Sequence, residues 1–93
     1  MEIQQEEHGR KGAFFIEEDG EWVAEMTYVR RGEDTIVIDH TEVDPKLGGQ
    51  GIGRRLVEAG VEFARNNGLR IKPLCPYARK VIESTPELQD VLS

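Results

Sequence analysis

Several features are scarce in this sequence of 93 residues. Its single cysteine cannot form an internal disulfide, which fits a reducing compartment. No apolar run is long enough to span a bilayer, and the start of the chain, Met1 to Glu7, has neither the basic residues nor the apolar stretch of a secretory signal. We therefore expect a cytoplasmic protein without a membrane-inserted segment.

Positive charge is scarce as well. Twelve lysines and arginines stand against eighteen acidic residues, which gives a net charge of −6. Such a balance argues against a general affinity for nucleic acid or for anionic membrane surfaces. Any anionic ligand must therefore be held by a local arrangement of the chain. No group of Cys and His residues has the spacing of metal ligands, so we predict no metal site.

The apolar residues fall in periodic blocks, which indicates a folded globular domain. We expect residues 1–11 to be a polar lead-in, either flexible or added to the sheet as an edge strand. Residues 12–93 then form one compact domain, since the length leaves room for little else.

Three strands are predicted in the first half of the chain. A period of two between Trp22 and Val29 indicates a strand whose Trp22, Met26 and Tyr28 face the core. Asp19-Gly20 before it favours a tight hairpin turn. With the flanking apolar segments, the prediction is a three-stranded antiparallel meander over Ala13–Glu17, Trp22–Val29 and Thr35–Val43.

The second half changes to helical spacing. Apolar residues from Ile52 to Ala64 recur at intervals of three and four, and Asn66-Asn67-Gly68 ends the helix. A short strand over Leu69–Leu74 follows, then a helix that begins at Pro76, and a last turn over Glu87–Leu92. A strand–helix–strand crossover makes the last strand parallel to the third. The predicted class is α+β, a mostly antiparallel sheet with helices packed on it.

The most informative segment lies between the third strand and the first helix. It places four glycines (Gly48, Gly49, Gly51 and Gly53) within six positions, where a helix N-terminus presents free amides to an anion. The first turn also holds Arg54 and Arg55 without an acidic residue, which opposes the helix dipole. A bound phosphate would reverse that effect, so the segment predicts a phosphate-binding loop.

Of three specific explanations for this segment, the first is ruled out and the other two stay open. A dinucleotide fingerprint requires a third glycine where Leu56 stands. A nucleoside-triphosphate loop fits the spacing of Gly48 and Gly53, but Arg54-Arg55 replaces its lysine and hydroxyl residue. The glycines can also simply form a tight turn, which leaves the arginines unexplained.

From about Asp39 to Leu92 the chain resembles the GNAT superfamily of acyl-CoA-dependent N-acetyltransferases, and especially its miniature single-domain members. The resemblance rests on the pattern Q/R-x-x-G-x-G/A, matched by Gly51 and Gly53, and on the run Pro73-Leu74-Cys75-Pro76. The sequence departs from the pattern at Gly48, where the family prefers Arg or Gln.

The resemblance implies that acetyl-CoA or coenzyme A is the cofactor. The loop amides would bind its pyrophosphate, with Arg54 or Arg55 replacing the missing side chain. The backbone near Glu42 and Val43 would pair with the pantetheine arm. The implied cofactor-binding residues are Glu42, Val43, Gly48, Gly49, Gln50, Gly51, Ile52, Gly53, Arg54 and Arg55.

Acetyl transfer to an amine also needs groups that move protons. His40, near the end of the third strand, is a candidate general base, because histidine as a residue type exchanges protons near neutral pH. Cys75 precedes a helix and can accept the acetyl group or protonate the leaving thiolate. Tyr77 is a second candidate proton donor, because many members of the family use a tyrosine on this helix. A structural role for each of the three is the alternative.

Two functions follow. The first is an N-acetyltransferase that acts on an amine-bearing small molecule or a protein lysine, as a monomer or homodimer. The second is a module that binds CoA or acyl-CoA without efficient turnover, because the chain lacks the N-terminal helices with which larger members of the family build an acceptor pocket.

Overall fold

A computed structural model describes residues 2–93. Its centre is a five-stranded sheet in the order β1-β2-β3-β4-β5. The first four strands pair antiparallel, while β5 runs parallel to β4. The strands are β1 (Gln4–His8), β2 (Lys11–Glu18), β3 (Glu21–Arg31), β4 (Thr35–Val43) and β5 (Arg70–Pro73).

Two helices, α1 (Ile52–Asn66) and α2 (Pro76–Glu83), cover one face of the sheet, and short 3-10 helices occupy Pro45–Leu47 and Pro86–Val91. Helix α1 connects β4 to its parallel neighbour, as a crossover requires. The predicted α+β class is therefore confirmed. Within residues 2–93, neither helix is long and apolar enough to cross a membrane.

The core lies between this sheet face and the apolar sides of both helices. Gly60 marks the closest approach of α1, because a Cβ there would lie 2.8 Å from Cε of Met26. The largest side chains at this interface are almost completely shielded from solvent: Ile16, Met26, Tyr28, Ile36, Ile38, Leu56, Ile71 and Ile82.

The prediction that Trp22 faces this core is wrong. A β-bulge at Val23 adds one residue to β3 that has no partner in β2. Ile16 therefore pairs with Ala24, whereas the next residue, Glu17, pairs with Trp22. The bulge moves Trp22 to the opposite face of the sheet. There its ring stacks on Phe15, with centroids 4.1 Å apart and planes 11° from parallel.

A second bulge lies in β4. Tyr28 pairs with Ile38 and Thr27 with His40, which leaves Asp39 as the extra residue. The Thr27 hydroxyl donates a hydrogen bond of 2.6 Å to the Asp39 carboxylate and holds it in place. Beyond the bulge, Thr41 pairs with Met26 and so lies on the helix-covered face.

The edge strand β1 is attached to the sheet by side chains as well as by backbone pairing. The Tyr28 hydroxyl donates to the Glu7 carboxylate (2.7 Å) and accepts from the Gln5 amide (2.8 Å). Arg30 forms an ion pair with Glu7 at 3.0 Å. Burial, and then the hydrogen bond to Glu7, raises the pKa of Tyr28 to about 12. Gly12 makes room for this ring, since a Cβ there would lie 2.3 Å from Cζ of Tyr28.

The pKa of Glu7 lies below its ordinary value. Burial raises it, but the hydrogen bonds from Arg30 and Tyr28 and the charge of Arg30 together outweigh burial. A lowered folded-state pKa means that the carboxylate stabilises the fold above its ordinary pKa of about 4.3. That contribution is lost as the pH falls through the folded-state value.

We therefore expect Glu7→Gln to reduce the free energy of unfolding by about 1–2 kcal/mol at neutral pH, because it removes a charged hydrogen-bond acceptor. Urea unfolding from pH 7 to acid checks this. The gap between wild type and variant should close below pH ~4. A gap that stays constant into acid would contradict this role of Glu7.

Candidate functional site

The site begins where two parallel strands separate. β5 pairs with β4 only as far as Ile38 opposite Pro73. The amides of Leu74 and Cys75 then both donate to the Ile38 carbonyl, at 2.9 and 3.0 Å, and the chain turns into α2. β4 continues to Val43 without a partner strand on this side among the described residues. A wedge with an open backbone edge results.

A cavity of about 360 Å³ opens at this wedge on the helix side of the sheet. Its volume falls in the range of roughly 300–1,000 Å³ that small-molecule sites occupy. Its walls are the end of β4, the loop after it and the first turns of both helices. The lining residues are Thr41, Val43, Leu47, Gly48, Gly49, Gly51, Ile52, Gly53 and Tyr77.

The loop wall is shaped by a local turn and two left-handed glycines. The Asp44 carboxylate accepts from the Lys46 amide at 3.0 Å and starts the 3-10 turn, and buried Leu47 anchors it to the core. Gly49 and Gly51 have φ angles of +80° and +70°, which disfavour any residue with a Cβ.

Gly51 is also the N-cap of α1, and it brings no side chain to the helix end. The first intrahelical hydrogen bond runs from the Arg55 amide to the Gly51 carbonyl. The preceding amides, of Ile52, Gly53 and Arg54, therefore have no acceptor within the helix. Two of these residues line the cavity. A helix end of this kind binds anions through its amides and its dipole.

Arg54, predicted to contact a phosphate, has partners within the protein instead. Its guanidinium lies 3.2 Å from the Glu58 carboxylate, one turn along the helix, and donates to the Thr85 hydroxyl at 3.2 Å. These contacts offset its unfavourable position at the helix N-terminus and link α1 to the segment after α2. Neither Arg54 nor the exposed Arg55 lines the cavity.

Tyr77 forms the wall opposite the loop. A Cβ on Gly53 would lie 2.7 Å from the Tyr77 hydroxyl and 2.9 Å from two ring carbons, so the ring rests directly against the helix backbone. Tyr77 is nevertheless 43% exposed, because the part of the ring that does not touch the helix faces the cavity and solvent. Of the predicted proton-transfer residues, it alone lines the cavity.

Cys75 lies one layer deeper. It is 6% exposed, and its Sγ donates a hydrogen bond of 3.4 Å to the Thr41 hydroxyl. Thr41 lines the cavity and thus connects the thiol to it. Thr41 is not among the site residues predicted from the sequence. An alternating pattern assigns it to the opposite face from Ile38, and only the bulge at Asp39 reverses that.

His40 and Glu42 are outside the cavity. They lie on the sheet face that the helices leave uncovered, where His40 Nε2 is 3.2 Å from a Glu42 carboxylate oxygen. Their side chains are 53% and 71% exposed. Gln50 is exposed and does not line the cavity either. Among residues 2–93, no three or more His, Cys, Asp or Glu side chains are grouped to hold a metal ion.

The contact between Gly53 and Tyr77 predicts a coupled effect on stability. In an open helix position, glycine to alanine stabilises by about 0.5–1 kcal/mol. We expect Gly53→Ala to bring no such stabilisation when Tyr77 is present, because the new methyl group would displace the Tyr77 ring. In a Tyr77→Ala background the gain should return. A double-mutant cycle in urea measures the difference, and additive effects would contradict the contact.

The similarity of this chain to known proteins includes residues outside the site. Protein NATD1 of Xenopus tropicalis is 30% identical over 63 residues, which are 68% of this chain and 58% of that protein. NATD1 of Bos taurus matches at the same identity over 56% of its length. The chain thus spans less than two thirds of the length of these relatives.

Solved structures share the fold over nearly the whole chain. A GCN5-like protein from Staphylococcus aureus, solved by NMR, is 41% identical with a TM-score of 0.78, over 99% of this chain and 87% of that one. The aminoglycoside N-acetyltransferase AAC(6')-Iy in complex with CoA shares the fold at 14% identity and a TM-score of 0.66, over 89% of this chain and 88% of its own.

The family model of GCN5-related N-acetyl-transferases matches residues 13–91. That range contains the wedge between β4 and β5, the glycine-rich loop and both helices. The chain belongs to the GCN5-related N-acetyltransferase family.

Proposed function

We propose that this protein binds acetyl-CoA in the cavity between β4, the glycine-rich loop and α2, and transfers the acetyl group to an amine. One observation carries the proposal. The free amides at the N-terminus of α1 and the unpaired edge of β4 line the same cavity. The amides would bind a pyrophosphate, and the strand edge would form hydrogen bonds with an extended arm that contains amide groups. Family membership supports this type of reaction.

The residues of the cavity fit this ligand. Gly49 and Gly51 keep side chains away from the helix end, so that a phosphate can approach the amides closely. Beyond Ile38, the β4 backbone near Glu42 and Val43 has no partner strand on the β5 side among the described residues, so its outward-facing groups would be available for hydrogen bonds with the pantetheine amides, in the manner of an added strand. Of the other predicted loop residues, Gly48, Ile52 and Gly53 also line the cavity and would contact the phosphates, whereas Gln50, Arg54 and Arg55 lie outside it.

Bound acetyl-CoA supplies an acetyl thioester, whose carbonyl carbon forms a bond to the acceptor nitrogen as its bond to sulfur breaks. The attacking amine must first be neutral and then lose a second proton, while the departing thiolate gains one. We assign the base to His40, which Glu42 orients from 3.2 Å. The proton donor to the thiolate is Tyr77 or the Cys75 thiol. Tyr77 lines the cavity, and Cys75 contacts Thr41, which lines it.

A matched pair of variants tests the loop. Gly51→Asp and Gly51→Asn have the same shape, both residues tolerate the left-handed conformation, and both are good N-caps. They differ in one negative charge at the helix end. We expect the aspartate variant to bind acetyl-CoA at least about tenfold more weakly than the asparagine variant, because it repels the pyrophosphate. Calorimetry measures the affinities, and urea unfolding confirms that both fold. Equal affinities would remove the loop from the site.

A second test concerns proton donation. We expect Tyr77→Phe to bind acetyl-CoA within about twofold of wild type but to transfer acetyl to amines roughly 10²-fold more slowly, the usual size of a general-acid contribution. Release of free thiol with a panel of primary amines measures the rate. A Tyr77→Phe rate equal to wild type would assign the donor to Cys75, which Cys75→Ser then checks.

The alternative is a module that binds acetyl-CoA and releases it without turnover. The buried position of Cys75 and its bond to Thr41 favour this alternative, since the thiol already has a partner. Tight acetyl-CoA binding combined with no thiol release above the uncatalysed rate, across the whole amine panel, would identify the protein as such a module.

A further inference from the structure

The second face of the sheet, which we call the open face, carries no helix within residues 2–93. Trp22 covers part of its apolar centre. Trp22 lies flat on Phe15, which leaves Phe15 only 6% exposed, while Trp22 itself is 38% exposed. Because Phe15 covers one side of the indole, the exposed part of Trp22 is its other side and its edge.

Charge is divided between the two ends of the open face. The carboxylates of Glu25 and Glu42, which pair across β3 and β4, lie at the end where β4 separates from β5. With Trp22 and Asp44 they border a depression of about 200 Å³. The cations Lys11 and Lys72 lie toward the other end, in the row that contains Val29 and Val37.

A second depression of about 190 Å³ borders Trp22 as well. It is formed over β1, β2 and β3, and it extends from Trp22 toward the cationic end of the face, with Glu6, His8, Lys11, Gly12, Ala13 and Thr27 as its other walls. The indole therefore separates two depressions, each large enough for a side chain. This layout suits an extended segment that crosses the strands, whereas a small polyamine would need only the acidic depression.

We propose that the open face around Trp22 binds a lysine-bearing polypeptide segment, the acceptor of the proposed acetyl transfer. A lysine ammonium packs on the exposed indole surface as a cation–π contact, and Glu25 and Glu42 complement its charge. The inference rests on the proposed function, because the segment approaches the wedge from the face opposite to the cofactor cavity. His40 lies on that same face, beside Glu42.

The test is a titration with a short peptide of alternating lysine and alanine, followed by amide and indole NMR. The sequence has one tryptophan, so its indole signal reports this face alone. We expect saturable shifts of the Trp22 indole and the Glu25 and Glu42 amides, with and without acetyl-CoA. A peptide with glutamine in place of lysine should give no shifts.

Variants locate the contact. We expect Glu25→Gln and Trp22→Leu each to weaken the peptide by about two- to fivefold, the size of an exposed cation–π or ion-pair contact. Glu33→Gln is the matched control, because it removes the same charge in the turn between β3 and β4, away from Trp22. It should change the affinity by less. Glu25→Gln keeps the test valid if Trp22→Leu fails to fold.

Three results would overturn the proposal: no indole shift with the peptide, an equal loss of affinity in Glu33→Gln and Glu25→Gln, or spermidine binding as tightly as the peptide. The last would indicate a small polyamine as the ligand. An acetyl-CoA titration of the same sample keeps the two proposals separate. If acetyl-CoA shifts the amides of Gly49 to Gly53 but the peptide causes no shifts, only the proposed acceptor surface is contradicted, and the proposed cofactor site stands.

Discussion

The shape of the site depends on one backbone carbonyl group, that of Ile38. The oxygen of Ile38 accepts two amide hydrogen bonds, from Leu74 and Cys75, and so ends the pairing of β4 with β5. If the ladder continued, the last residues of β4 would be covered by a neighbouring strand, and no backbone edge would remain for a ligand. Pro73 and Pro76 support the exit, because neither has an amide hydrogen to extend the ladder. Pro76 then begins α2, which places Tyr77 across the gap.

The glycines of the loop serve two separate physical needs. At Gly49 and Gly51 the backbone is left-handed, so the requirement is conformational. At Gly53 the backbone is helical, and the requirement is space for the Tyr77 ring. A loop that only turned a corner would need the first kind alone. Gly53 shows that the helix start is also shaped against α2, so that the two helix ends and β4 enclose one cavity.

Much of the architecture could be predicted from the sequence, because local patterns determine it. The turn at Asp19-Gly20 has positive φ at both residues, and β4 has the predicted bounds of Thr35–Val43. The start of α2 at Pro76 and the parallel crossover are confirmed too. The attachment of β1 as an edge strand is one of the two alternatives predicted for residues 1–11, the other being a flexible lead-in. The attachment depends on Tyr28 and Arg30 meeting Glu7 across more than twenty residues, which no local period encodes.

The two bulges explain the remaining differences. At Val23 one extra residue moves Trp22 from the core to the open face. At Asp39 another extra residue exchanges the faces of all that follows in β4. Strict alternation from Ile36 and Ile38 would place His40 and Glu42 toward the helices, and Thr41 and Val43 away from them.

With the bulge, Thr41 and Val43 line the cavity, and the ionisable pair His40 and Glu42 faces solvent on the other side. The strand thereby presents uncharged residues to one side of the wedge and titratable residues to the other. A reaction that joins an anionic cofactor to a cationic amine benefits from this separation. In the proposed reaction, acetyl-CoA would approach β4 from the uncharged side, and the amine would approach from the side of His40 and Glu42.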